Sequence, residues 1–82
     1  MKYPAIASVK PMDNHILLVE FVNKERRIYD VTPLLGKEMF IPLKDPRLFK
    51  NVQVERGGYA VLWNEEIDIS EYELWKNGIS VS

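Results

Sequence analysis

The sequence predicts an α+β domain: a small, mostly antiparallel sheet built from two hairpins, with short helices packed on one face. Three observations predict it. Apolar and polar residues alternate over two pairs of short runs, each pair closed by turn-forming residues, as antiparallel hairpins require. Cap-plus-proline and cap-plus-acid signatures announce helices too short to stand without a sheet beneath them. The order is strands, two short helices, strands, helix, which segregates the two kinds of element and argues against a doubly wound parallel sheet.

Taken in order, Ile6 to Lys10 is a short alternating run, His15 to Val22 a long one, and Arg26 to Val31 follows across Asn23-Lys24-Glu25, close enough for a hairpin. Leu17, Val19 and Phe21 share one face of their strand. Opposite them Tyr29 and Val31 alternate with Ile28 and Asp30, as in a strand pair with one side on a core and the other partly wet. Thr32-Pro33 combines a threonine N-cap with proline at the first helical position, Leu34 and Leu35 point inward, and Gly36 ends the turn. Asp45-Pro46 repeats that chemistry for a second helix, anchored by Leu48 and Phe49 and ending near Asn51. Val52 and Val54 then alternate with Gln53 and Glu55, Gly57-Gly58 supplies a turn tolerant of positive φ, and Tyr59, Val61 and Trp63 alternate on the return. Ile67 and Ile69 continue as an edge-like segment. Ser70 with Glu73 forms a capping box that opens a last helix through Tyr72, Leu74 and Trp75 to Gly78, and the residues beyond Gly78 are expected to fray.

No Ser/Gly linker, repeat or low-complexity tract interrupts residues 1–82, so one α+β domain is expected across them. With 82 residues and no cysteine, stability has to come from packing or from self-association, since neither a disulfide nor a thiolate metal site is available. Met1-Lys2-Tyr3-Pro4 carries no apolar run ahead of Lys10-Pro11, and no run reaches membrane-spanning length; the expected location is the cytoplasm, without a membrane partner. Eleven basic and twelve acidic residues leave a net charge of −1, so this chain alone lacks the broad positive field that nucleic-acid binding draws on. The charge is uneven. Residues 1–56 hold ten bases and seven acids (+3), whereas residues 57–82 hold one base, Lys76, and five acids (−4). Such asymmetry can steer an oppositely charged partner or be matched inside the fold.

His15 is the single histidine, which excludes metal sites built on two imidazoles and reads as a turn residue after Asp13-Asn14. The acids Glu65, Glu66, Asp68, Glu71 and Glu73 could hold a hard cation or supply an acid/base pair. A plainer reading puts Glu71 and Glu73 in the first helical turn, where negative charge is favoured, and Asp68 on a strand's solvent face; no Asp-x-Asp-x-Asp-Gly calcium loop is present. Gly57-Gly58 lacks the further glycines or the Lys-Ser/Thr of a phosphate cradle. Lys24, Arg26, Arg27, Arg47, Lys50 and Arg56, interleaved with Tyr29 and Phe49, contain the ingredients of a nucleic-acid surface, although Glu25 dilutes the first group and Phe49 serves better as a core anchor. Trp63 and Trp75 stabilise a small core or, if exposed, anchor a contact. No catalytic, cofactor or metal residue is assigned, and the chain is not expected to be an enzyme.

One family joins these elements. Leu17-x-Val19-x-Phe21, Tyr29-Asp30-Val31-x-Pro33-Leu34-Leu35, Leu43-x-Asp45-x-x-x-Phe49 and Val61-x-Trp63 followed by Asp68-Ile69 and Leu74-Trp75 resemble the bacterial domain of unknown function 2442, through nearly the whole chain. The motifs are core and cap patterns, and their joint spacing carries the resemblance. It implies an α+β fold without an established activity, joined in longer relatives to a helix-turn-helix segment. The short form to which this sequence is similar is often encoded beside another small protein, an arrangement of the toxin-antitoxin kind. The expectation is therefore a small non-catalytic protein-interaction module, antitoxin-like toward a co-encoded small protein or self-associating, with Glu65, Glu66, Asp68, Trp63 and Trp75 as candidate contact residues. A regulatory domain associated with nucleic-acid-binding proteins is the alternative.

Overall fold

Strand formation follows the alternation closely in the first half of the chain. A computed structural model describes residues 3–81. Ile6–Met12 (β1), Ile16–Phe21 (β2) and Arg26–Asp30 (β3) form an antiparallel meander, with Leu17, Val19 and Phe21 buried on one face of β2. The β1–β2 connection is a tight 3-10 turn at Asp13–His15, in which Asn14 and His15 both take left-handed backbone angles (φ 63° and 60°). Lys24 (φ 72°) makes the corresponding reversal between β2 and β3, where the Glu25 N–H donates to the Asn23 side chain at 3.0 Å. These three positions turn the chain without a glycine.

The next segment departs from the expected capping. Thr32–Leu34 is a 3-10 turn, but Thr32 does not cap it; the Asp30 carboxylate accepts the Thr32 N–H at 2.9 Å. The cap is thus an Asx turn begun two residues earlier. A second 3-10 stretch, Glu38–Lys44, carries Leu43 into the core and has no periodic signature in the sequence, because Pro42 and its short repeat suppress one. Asp45 then caps the short helix Pro46–Phe49 (α1), accepting the Arg47 N–H at 2.9 Å as the cap-plus-proline pattern predicts.

Gln53–Val54 (β4), Ala60–Leu62 (β5) and Asp68–Ser70 (β6) form a second antiparallel sheet, in the order β4-β5-β6. The fold class is the predicted α+β, but the two hairpins belong to separate sheets. Ser70 caps the helix Glu71–Asn77 (α2) by accepting the Glu73 N–H at 3.1 Å. Residues 79–81 do not fray: Ile79–Val81 (β7) adds to β3, pairing Ile28 with Ile79 and Arg26 with Val81, which completes a four-stranded sheet β1-β2-β3-β7. The reason is geometric. Helix α2 returns the chain antiparallel to the open edge of β3, whose unpaired amides and carbonyls then find partners.

One core lies between the sheets. Leu17, Val19, Phe21, Tyr29 and Val31 face Val61, Trp63, Ile67 and Ile69, closed by Leu74 of α2 and by Leu35, Leu43 and Phe49. A bulge at Ala7 shifts the β1 register, and the Ile6 N–H donates to the Gly58 carbonyl at 2.8 Å, stitching the first sheet to the β4–β5 turn. Tyr59 lies in that turn and is exposed, so burial on the return strand begins at Ala60. Among the described residues no helix is long and apolar enough to cross a membrane.

Gly58 is held at φ +78°, and a Cβ there would sit 2.7 Å from the Ile6 carbonyl oxygen. Gly58→Ala should therefore lower the unfolding free energy by about 2 kcal/mol in urea melts. Gly36→Ala, with nothing within 4 Å of the new carbon, should leave the midpoint nearly unchanged.

Candidate functional site

A strand buried on one side exposes every second residue on the other, and in the four-stranded sheet that other side is unusually apolar. The inward set is Ile6, Val9, Pro11, Leu17, Val19, Phe21, Arg27, Tyr29 and Ser80. By the pairing register, the outward residues form three rows across the strands. The middle row runs Lys10, Leu18, Ile28, Ile79. One flanking row is Met12, Ile16, Asp30, and the other is Ser8, Glu20, Arg26, Val81. Ile16, Leu18 and Ile28 are half-buried by their neighbours in the sheet, yet none belongs to the core cluster or to the residues packed against it. Met12 and Ile79 are 43% and 66% exposed. The result is an apolar stripe on the outer face, bordered by Lys10, Glu20, Arg26 and Asp30, none of which has an opposite charge within 4 Å among the described residues. A shallow concavity of about 320 Å³, lined by Ile28, Asp30, Pro33, Asn77 and Ile79 among others, adjoins its β7 end.

The residues singled out in sequence are distributed differently. Trp63 is 5% exposed, and its indole N–H donates to the Phe49 carbonyl at 2.9 Å; it is a core residue with no surface to offer a partner. Trp75 is half-buried on α2, edge-on to Phe21 at 5.1 Å, with the Arg27 guanidinium 3.8 Å from its ring centroid. That guanidinium also donates to Glu25 at 2.8 Å, while Arg27 Nε is buried without a hydrogen-bond partner among the described residues. Glu65, Glu66 and Asp68 are exposed on the β5–β6 hairpin, whose turn is ordered by the Asn64 side chain accepting from the Glu66 and Ile67 amides.

Density in sequence is not density in space for these acids. Glu66 borders one shallow concavity with Glu38, whereas Asp68 and Glu73 line another beside Lys37. Among the described residues no three His, Cys, Asp or Glu converge as a metal cluster would. The nucleic-acid ingredients are likewise separated: Tyr29 and Phe49 are buried and unavailable for stacking on bases, and Arg27 is engaged with Trp75 and Glu25. His15 serves structure, with Nε2 2.8 Å from the Leu43 carbonyl and the ring edge-on to Phe49 at 5.0 Å, tying the β1–β2 turn to the Glu38–Lys44 segment.

These features define a two-sheet α+β domain with one sheet face covered and one bare. The family model described as Protein of unknown function (DUF2442) matches residues 6–80, and the chain belongs to that family. No match reaches significance among the curated proteins or the solved structures.

The inner face also carries the one strongly shifted group among the described residues. The Tyr29 hydroxyl donates to Glu73 at 2.8 Å; burial first, and then that hydrogen bond and the Glu73 charge, push the phenol well above its ordinary value of 10.0. The folded chain thus holds this proton more tightly than the unfolded one. The associated stability is complete below about pH 10 and is lost as pH rises from there through the folded value. Tyr29→Phe should lower neutral-pH stability by about 1 kcal/mol and flatten the alkaline decline, as read by urea melts at pH 8 to about 11.

Proposed function

We propose that this chain is a small, non-catalytic protein-interaction module of the cytoplasm, and that the outer face of the four-stranded sheet is its principal contact. One observation carries the reading: Leu18, Ile28 and Ile79 form a continuous apolar row over three adjacent strands, outside the core cluster formed by the described residues. Exposed apolar patches rimmed by polar groups are characteristic of protein contacts. An antitoxin-like role toward a co-encoded small protein is the particular form proposed. Such a partner would gain its binding energy on the apolar row, while the exposed Glu65, Glu66 and Asp68 would contribute attraction at longer range.

Affinity capture from host lysate, read by mass spectrometry, tests this with two sets of variants. Ile79→Asp together with Leu18→Lys should remove the small protein captured by the wild type, with the melting curve retained because neither side chain reaches the core. The triple reversal Glu65→Lys/Glu66→Lys/Asp68→Lys should retain it but slow its association severalfold at low salt. Undiminished capture by the face variant would refute the proposed contact.

A further inference from the structure

We infer that Asn77-Gly78, where α2 hands the chain to β7, is a modification site: Asn77 converts to aspartate and isoaspartate through attack by the next backbone nitrogen, and the isoaspartate form releases β7 from the sheet. Of the five asparagines, Asn14, Asn23, Asn51, Asn64 and Asn77, only Asn77 precedes a glycine. With no Cβ at Gly78, its backbone nitrogen reaches the neighbouring side chain unhindered. Asn77 is exposed, whereas the side chains of Asn23 and Asn64 are engaged by the amides of Glu25, Glu66 and Ile67. The site does not depend on the reading of the outer face as a contact.

The reaction needs water and no other reagent. The Gly78 nitrogen gives up its proton to solvent base and attacks Asn77 Cγ; the N–Cγ bond forms as the Cγ–Nδ2 bond breaks, and Nδ2 leaves as ammonia. A cyclic imide results, joining Cγ, the Gly78 nitrogen and the Asn77 carbonyl carbon. Water opens it at Cγ, which yields aspartate, or at the main-chain carbonyl, which yields isoaspartate with the chain routed through Cγ. Nothing is oxidised or reduced.

The fold restrains this step without forbidding it. Asn77 is the last helical residue of α2, and the Gly78 N–H donates to the Leu74 carbonyl at 3.0 Å. Both features must be given up before the imide closes. They are held by a seven-residue helix and by a three-residue strand at the edge of its sheet, and units this small open at well below the cost of global unfolding. The two products differ in their effect. Aspartate adds a charge at the C-terminal end of α2, where it is mildly unfavourable, but keeps the backbone length. Isoaspartate adds a backbone carbon where no room exists: a carbon on Gly78 would already meet the Leu74 carbonyl oxygen and lie 3.1 Å from Arg27 Cβ and 3.4 Å from the Ile28 carbonyl oxygen. The following strand is thrown out of register with β3, and Ile79 leaves the outer row.

The test is incubation of the purified chain at mildly alkaline pH, followed by peptide mass mapping, enzymatic methylation of isoaspartate, and amide hydrogen exchange of residues 79–81. Asn77 should convert, mainly to isoaspartate, while the other four asparagines persist. Conversion should run about tenfold slower in the folded chain than in the urea-unfolded one, because local opening precedes attack. The isoaspartate fraction should lose exchange protection at residues 79–81, freshly prepared Asn77→Asp should keep it, and Asn77→Gln should abolish the mass gain. A folded chain still unmodified at Asn77 after about a hundred half-times of the unfolded chain would overturn the site. An isoaspartate product with residues 79–81 as protected as before would overturn the release of β7.

Discussion

The docking of α2 onto β3 is the constraint on which the rest of this structure depends. Seven residues are too few for an isolated helix, so α2 exists because its inner side is occupied. Leu74 is fully buried, Glu73 accepts from the Tyr29 hydroxyl, and Trp75 is held between Phe21 and the Arg27 guanidinium. This attachment fixes where the chain emerges at Gly78, a position with room for no Cβ between the Leu74 carbonyl and Arg27. Emerging there, residues 79–81 meet the open edge of β3 and become its fourth strand. Without that strand the outer apolar row would stop at Ile28.

The same arrangement leaves one sheet face bare. The helical segments and the second sheet are all used on the inner side, where one core gathers side chains from both sheets and α2. A loosely packed chain would leave faces exposed for a trivial reason, but the radius of gyration is 11.8 Å, against about 11.7 Å for a well-packed domain of this length. The bare face therefore belongs to a compact molecule. Small domains bury a smaller share of their surface than large ones, and association is one way to add to it.

Several features were legible in the sequence because they are local. The Asp45 and Ser70 caps depend on a side chain and an amide two or three residues away, and the strands β1, β2 and β3 announce themselves by alternation. The Glu38–Lys44 stretch was not legible, since its conformation follows from the burial of Leu43 and the bond from His15 28 residues earlier. The candidate contact residues divide in the same way. Trp63 stands out by size, yet its burial depends on Phe49 from another element, and of the acids close together in sequence Glu66 borders one concavity while Asp68 and Glu73 share another.

Amino-acid order alone determined the class of the fold, the inward face of β2, the caps, and membership of the family matched over residues 6–80. Each is a pattern of period two, or a bond between near neighbours, or a spacing shared with relatives. Tertiary structure decided that the hairpins form two sheets, that the C-terminal residues become β7, and that Leu18, Ile28 and Ile79 line up as one uncovered row. These depend on contacts between residues 50 or more positions apart, such as Ile28 with Ile79, and short-range periodicity does not specify which distant edge a strand will join.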